Sequence, residues 1–276
     1  MACSRLVLAQ GTYTQIDYPG AEDTICYGIN AAGDISGSYA SVDGRWHGFL
    51  LSGGVYTTID YPGSTGTYVN GLNDFGQIVG QTNSDPFVGF SYNIASQTFT
   101  QISYPGSSTT SPLSISNSGV IVGFTGVNQT VWAFELDRSN HRLIAPPGAQ
   151  STYVYGISSS GKLVGYFSEA IWNPVGFSFA HGKYRRTRLP GAPDAIALGI
   201  SPSGNRFVGY YYPDSQTTAA FLYQNKTLQT LQFPQSNSTT AVGVNDAGEV
   251  VGSFLESGGF PQHGFSWTPP GDAVKR

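Results

Sequence analysis

The residues able to do chemistry in this chain are few, and their types exclude more than they offer. Its reactive inventory is four histidines (His47, His141, His181 and His263) and two cysteines (Cys3 and Cys26). A Gly-x-Ser-x-Gly nucleophile turn, a His-Glu-x-x-His pair, a Gly-x-x-x-x-Gly-Lys phosphate loop and a Cys-x-x-Cys pair are all missing. His47 and His263 share one slot, immediately before Gly-Phe, but zinc needs at least a third protein ligand and no other histidine falls there. No metal and no cofactor is therefore expected. A single histidine acting as general acid or base stays open.

What remains is a set of rings and neutral donors: 17 Tyr, 16 Phe and 4 Trp. Such a set suits a site that holds apolar or aromatic reactants in a productive orientation, with hydrogen-bond donors aimed at a carbonyl that gains charge. Trp46, Trp132, Trp172, Tyr166 and Tyr210 are the expected walls. Gln81, Phe124, Tyr212 and His263 extend the substrate-contacting group, and His47, Arg45 and Tyr68 are the expected catalytic donors. Carboxylates that fall in the same segments, Asp23, Asp43, Asp85, Glu169, Asp214 and Glu256, read as solvated rim charge. The basic run from Lys183 to Arg188 reads as charge protecting a strand edge.

These residues are positioned by a repeat. Glycines at 33, 76, 119, 161, 204 and 248 follow one another at spacings of 43, 43, 42, 43 and 44. Pro19, Pro62, Pro105, Pro147, Pro190 and Pro234 keep the same period, as do Phe49, Phe90, Phe134, Phe177, Phe221 and Phe265. A period of this length indicates a solenoid, a propeller or an array. Each copy holds four short runs rich in β-branched and aromatic residues, such as YVNGLN, QIVGQT, VGFSYN and VYTTID, separated by turn residues. Four antiparallel strands per copy make one propeller blade.

The phase of the repeat closes the ring. The last copy ends on HGFSWT without an outer strand, and residues 11–20, GTYTQIDYPG, are an outer strand with no blade before them. The expected fold is an all-β, six-bladed propeller, a single repeat domain over residues 1–276, whose N-terminal strand pairs with the C-terminal blade. The repeated Phe residues, Ile78 and Val79, and Ile16, Ile59, Ile102, Ile144 and Leu231 should be blade-to-blade core. The segments that diverge, including those holding Trp46, Trp132 and Trp172, should ring one mouth of the axis, where the site is expected.

Composition bounds the partners. Charged residues are 11% of the chain and the net charge is -4, which excludes the basic footprint a nucleic acid would need. No apolar run is long enough for a membrane-spanning helix. Three Asn-x-Ser/Thr triplets, at Asn128, Asn225 and Asn237, lead to an expectation of secretion. A monomer is expected. Cys3 and Cys26 could form one disulfide, or Cys26 could be an unpaired core thiol.

Residues 27–39, YGINAAGDISGSY, followed by HGFLL at 47–51, resemble the HAF-type extracellular repeat, across essentially the whole chain and least in the third and fifth copies. The layout is also similar to NHL-type blades. The resemblance implies a secreted propeller and no particular reaction. The repeat-rich, weakly charged chain is further similar to secreted fungal hetero-Diels–Alderases of tropolonic sesquiterpenoid pathways, which join a quinone methide to a humulene-type olefin. No residue motif carries over, so this resemblance implies a candidate activity and no site. Three functions follow: a cofactor-free cyclase on apolar or aromatic substrates, a glycan-binding propeller with equivalent rim sites, or an extracellular scaffold without a useful pocket.

Overall fold

A computed structural model describes residues 11–84, 86–170, 173–256 and 259–270. They form six sheets of four antiparallel strands and, among the described residues, no helix. The first blade runs from the axis outward as Asp23–Ile29, Ile35–Ala40, Trp46–Ser52 and Val55–Ile59. Blades two to five repeat this order, with inner strands Thr67–Leu72, Thr110–Ile115, Ser151–Ile157 and Ile196–Ile200. The sixth blade takes Ser236–Val244, Val250–Glu256 and Gln262–Thr268 from the C-terminus, and Thr12–Ile16 from the N-terminus as its outer strand. In that clasp Thr12 lies opposite Thr268 and Ile16 opposite Gly264. The expected six-bladed propeller and its three-plus-one closure are thus both present.

Each first hairpin owes its turn to an Asn or Ser followed three residues later by Gly. In the first blade the Asn30 side chain accepts from the amides of Ala32 (3.0 Å) and Asp34 (2.9 Å), while Gly33 donates to the Asn30 carbonyl. The six turn glycines hold φ between +72° and +87°, which a Cβ would strain. The turns also hook one blade to the next: Ala31 donates to Asp74 at 2.7 Å, Asp74 to Asn117 at 3.1 Å, and Ser203 to Asp246 at 3.1 Å. Across the closure Asn245 donates to the Asn30 carbonyl at 3.1 Å.

The core lies between blades, in six clusters. Phe49, Phe90, Phe134, Phe177, Phe221 and Phe265 are all at most 1% exposed. Each such ring stabilises the fold by roughly 1.5–3 kcal/mol. Ile16 of the clasp packs with Cys26, Phe49 and Val251, so the cluster behind the first blade is completed by the sixth. Cys26 is buried and free, and burial pushes its thiol well above the ordinary range; Cys3 lies outside the described residues. The three triplet asparagines, Asn128, Asn225 and Asn237, are all exposed.

Candidate functional site: an axial chamber

Every inner strand carries the same irregularity. The pairing register slips between Cys26 and Gly28, Val69 and Gly71, Pro112 and Ser114, Val154 and Gly156, Ala197 and Gly199, and Ala241 and Gly243. One residue is left over each time, as a β-bulge requires. The six extra residues are Tyr27, Asn70, Leu113, Tyr155, Leu198 and Val242, and all of them line a chamber on the propeller axis. Its volume is ≈ 310 Å³, within the range of small-molecule sites.

The residue after each bulge is Gly or Ser because neighbouring inner strands nearly touch. A Cβ on Gly71 would sit 2.8 Å from the Ser114 Cα, and one on Gly199 2.2 Å from the Val242 carbonyl oxygen. Below the bulge ring the lining is apolar, with Leu72, Ile115, Ile157, Ile200 and Val244. At the turn end it becomes polar, with Asn73, Asp74, Ser116, Asn117 and Ser159.

From sequence the site is expected at the opposite mouth, among the Pro-Gly connections and variable segments, whereas the chamber reaches the turn end of the axis. One level above the bulges, blades two to five present Tyr68 with Gln81, Ser111 with Phe124, Tyr153 with Tyr166 and Ile196 with Tyr210. Rings fill this level: Phe124 meets Tyr153 edge-on at 5.2 Å, and Tyr166 stacks on Tyr153 at 4.8 Å and on Tyr155 at 5.9 Å. Blades six and one carry only Thr240 with Ser253 and Ile25 with Ser38 there. The chamber extends upward on that side alone, past Ile25, Thr240, Ser253 and Gln262.

Two phenols face the chamber. Burial raises the pKa of Tyr27, helped by nearby Tyr68 and Cys26. Burial likewise raises that of Tyr155, helped by Tyr166. Both are therefore neutral hydrogen-bond donors at any physiological pH. Asn70 completes the polar part of the ring, although its amide already donates to the Pro112 carbonyl at 2.8 Å.

Among the described residues, none of those singled out from sequence lines this chamber. Arg45, Trp46 and Tyr68 do meet, at the seam of blades one and two: Arg45 donates to the Thr65 carbonyl at 3.2 Å, and the Trp46 and Tyr68 rings lie 5.3 Å apart. Gln81 is opposite Tyr68 and accepts from Ser111. Phe124 and Tyr166 belong to the ring cluster above the chamber, and Tyr210 packs edge-on against the exposed Tyr212 at 5.6 Å.

The two histidines occupy equivalent pins away from the axis. His47 binds Asp60 at 2.8 Å and stacks on Tyr39, and His263 binds Asp17 at 2.9 Å and stacks on Phe254. Trp132 is half-buried on the third strand of blade three, opposite Thr125. Trp172 and Asp85 lie outside the described residues. The bulge residues went unnoticed in the sequence, yet a signal exists. The position before the Gly of the Gly-Ile-Asn phrase changes in nearly every copy while its neighbours repeat.

No protein-family model matches this chain, and no curated protein matches it. Solved structures do. A gluconolactonase from Xanthomonas campestris, XC5397, superposes with a TM-score of 0.56 at 14% identity, over 98% of this chain and 99% of its own. A triple arginine-to-alanine mutant of AofleA from Arthrobotrys oligospora gives 0.55 at 12% identity, over 90% and 84%. TolB from Acinetobacter baumannii gives 0.54 at 12%, over 90% and 67%. At such identities the likeness is one of fold, shared by proteins of different function.

Proposed function

We propose that the axial chamber binds one class of small, largely apolar organic molecule bearing a carbonyl or similar acceptor, and that the chain works on it without a cofactor. The observation that carries this reading is the bulge ring. Six equivalent positions hold, in ring order, Tyr27, Asn70, Leu113, Tyr155, Leu198 and Val242, so two phenols face each other across the axis with an amide and three aliphatic side chains between them instead of sixfold symmetry.

The reaction class such a lining serves is an orientation-driven ring closure, and the specific proposal is a hetero-Diels–Alder addition. In that step two σ bonds form as three π bonds become one. No proton leaves and no group departs, so neither nucleophile nor base is required. A neutral phenol donating to the heterodiene oxygen lowers the barrier by stabilising the charge that gathers there. Tyr27 and Tyr155, on opposite sides of the ring, are the assigned donors, and Leu113, Leu198 and Val242 the apolar contacts beside them.

A thermal-shift and calorimetric panel tests the reading. Terpenoid and polyketide carbonyl compounds should raise the melting temperature more than neutral oligosaccharides of similar mass. Tyr27→Phe and Tyr155→Phe should each weaken the best ligand about tenfold, the equivalent of one buried hydrogen bond. Oligosaccharides ranking first would instead favour the glycan-binding alternative. A ligand that both phenylalanine variants bind as tightly as the parent chain would remove the assigned donors.

A further inference from the structure

The chain's few cations are not spread evenly. Between blades four and five lies a lateral groove of ≈ 730 Å³ whose walls include Lys162, Lys183, Arg185, Arg186 and Arg188. Five of the 13 Lys and Arg residues of an otherwise acidic protein thus face one cleft, and no carboxylate is among its lining residues. The run from Lys183 to Arg188 is more than an edge guard.

Comparison with the preceding blade shows what has been removed. Arg142 of blade three and Arg185 of blade four hold the same register position on the outer strand. Arg142 lies opposite Glu135 and binds it at 2.7 Å, whereas Arg185 lies opposite Ser178. Two pairs further along, on the same face, blade three sets Asp137 opposite Asn140, and blade four sets Ala180 opposite Lys183. Both acids are gone and a cation has been gained.

Lys162, from the first hairpin of the same blade, reaches across to blade five, where it is held by the Gly204 carbonyl at 3.3 Å and by the Phe207 ring, 4.3 Å from its centroid. Burial, with Arg185 nearby, lowers the pKa of Lys162. Among these cations Arg186 is paired, with Glu169. Like charges held together in a partly desolvated cleft, with one carboxylate among five cations, favour an anion from outside.

We propose that this groove binds a linear acidic glycan, one whose successive sugars carry carboxylate or sulfate groups. Lys183 to Arg188 covers roughly 17 Å of extended chain, far longer than one oxyanion and suited to charges repeated along a strand of sugars. Phe207 and Tyr223 lie beside the cations and offer ring faces for sugar stacking. The net charge of -4 and the presence of only two rings disfavour single-stranded nucleic acid.

Calorimetric titration of the full chain decides the matter, with an oligogalacturonate and a heparin-derived oligosaccharide as the carboxylate and sulfate probes. At least one should bind, and its affinity should fall as salt rises. The double variant Lys183→Ala/Arg185→Ser should weaken it roughly tenfold or more. Ser178→Glu, which rebuilds the blade-three ion pair, should weaken it comparably while the melting temperature stays unchanged. The proposal is overturned if neither probe binds, or if a neutral oligosaccharide or inorganic phosphate binds as well. Tighter binding of a single-stranded RNA or polyglutamate, or unchanged affinity in both variants, overturns it equally.

Discussion

Thr152 carries a buried hydroxyl without a partner, and its cause stands six residues earlier. In four other blades the residue six before the equivalent threonine donates its amide to that hydroxyl: Tyr18 to Thr24, Tyr61 to Thr67, Tyr104 to Thr110 and Phe233 to Thr239. In blade four that donor position is Pro146, which has no amide hydrogen. The two sites should respond oppositely to the same change. Thr67→Val should cost about 1–2 kcal/mol by stranding the Tyr61 amide, and Thr152→Val should be neutral or stabilising, both read from urea melts. Sequence made the large residues of this scale legible, because a Phe repeated at fixed period has no plausible place but the core. It did not state the partners of His47 and His263. The shared slot holds a shared structural contact, each histidine pinning an aspartate of its own blade, Asp60 and Asp17. Pairing of this kind depends on which strand edge lies beside which, and the chain alone does not state it.

Strands and turns were legible from alternation and from the Asn-x-x-Gly phrase, but the bulges were not. A bulge is a mismatch between two strands, so neither strand shows it by itself. Its imprint is the glycine after it, which the turn glycines disguise by being more numerous. The two kinds differ in mechanism. Gly33 needs its positive φ and has open space around it, while Gly71 and Gly199 need the absence of a Cβ against a neighbouring backbone. Gly199→Ala should therefore cost more than Gly33→Ala: on the order of 3 kcal/mol for displaced backbone, against about 1–2 kcal/mol for a strained dihedral. Denaturant titration of both variants checks the order, and Gly199→Ala should also distort the chamber and weaken its ligand.

For the whole molecule, the repeat phase correctly foretold that the two ends complete one blade. The outer strand Thr12–Ile16 covers the Gln262–Thr268 edge and delivers Ile16 to the core. Deleting residues 1–18 should lower the melting temperature by roughly 10 °C or more, since several kcal/mol of burial and pairing go with it. An unchanged melting temperature would show that the ring holds without its clasp. The end of the axis at which the chamber lies was not legible, because it depends on side-chain bulk summed over six blades at one level. Closure has a geometric corollary as well. Because Thr12 stands directly across from Thr268, the polypeptide is topologically close to a loop, and its start is one choice among six. A short tether across that pair, with a cut in the hairpin between the third and fourth strands of another blade, would yield rotated versions of the same wheel.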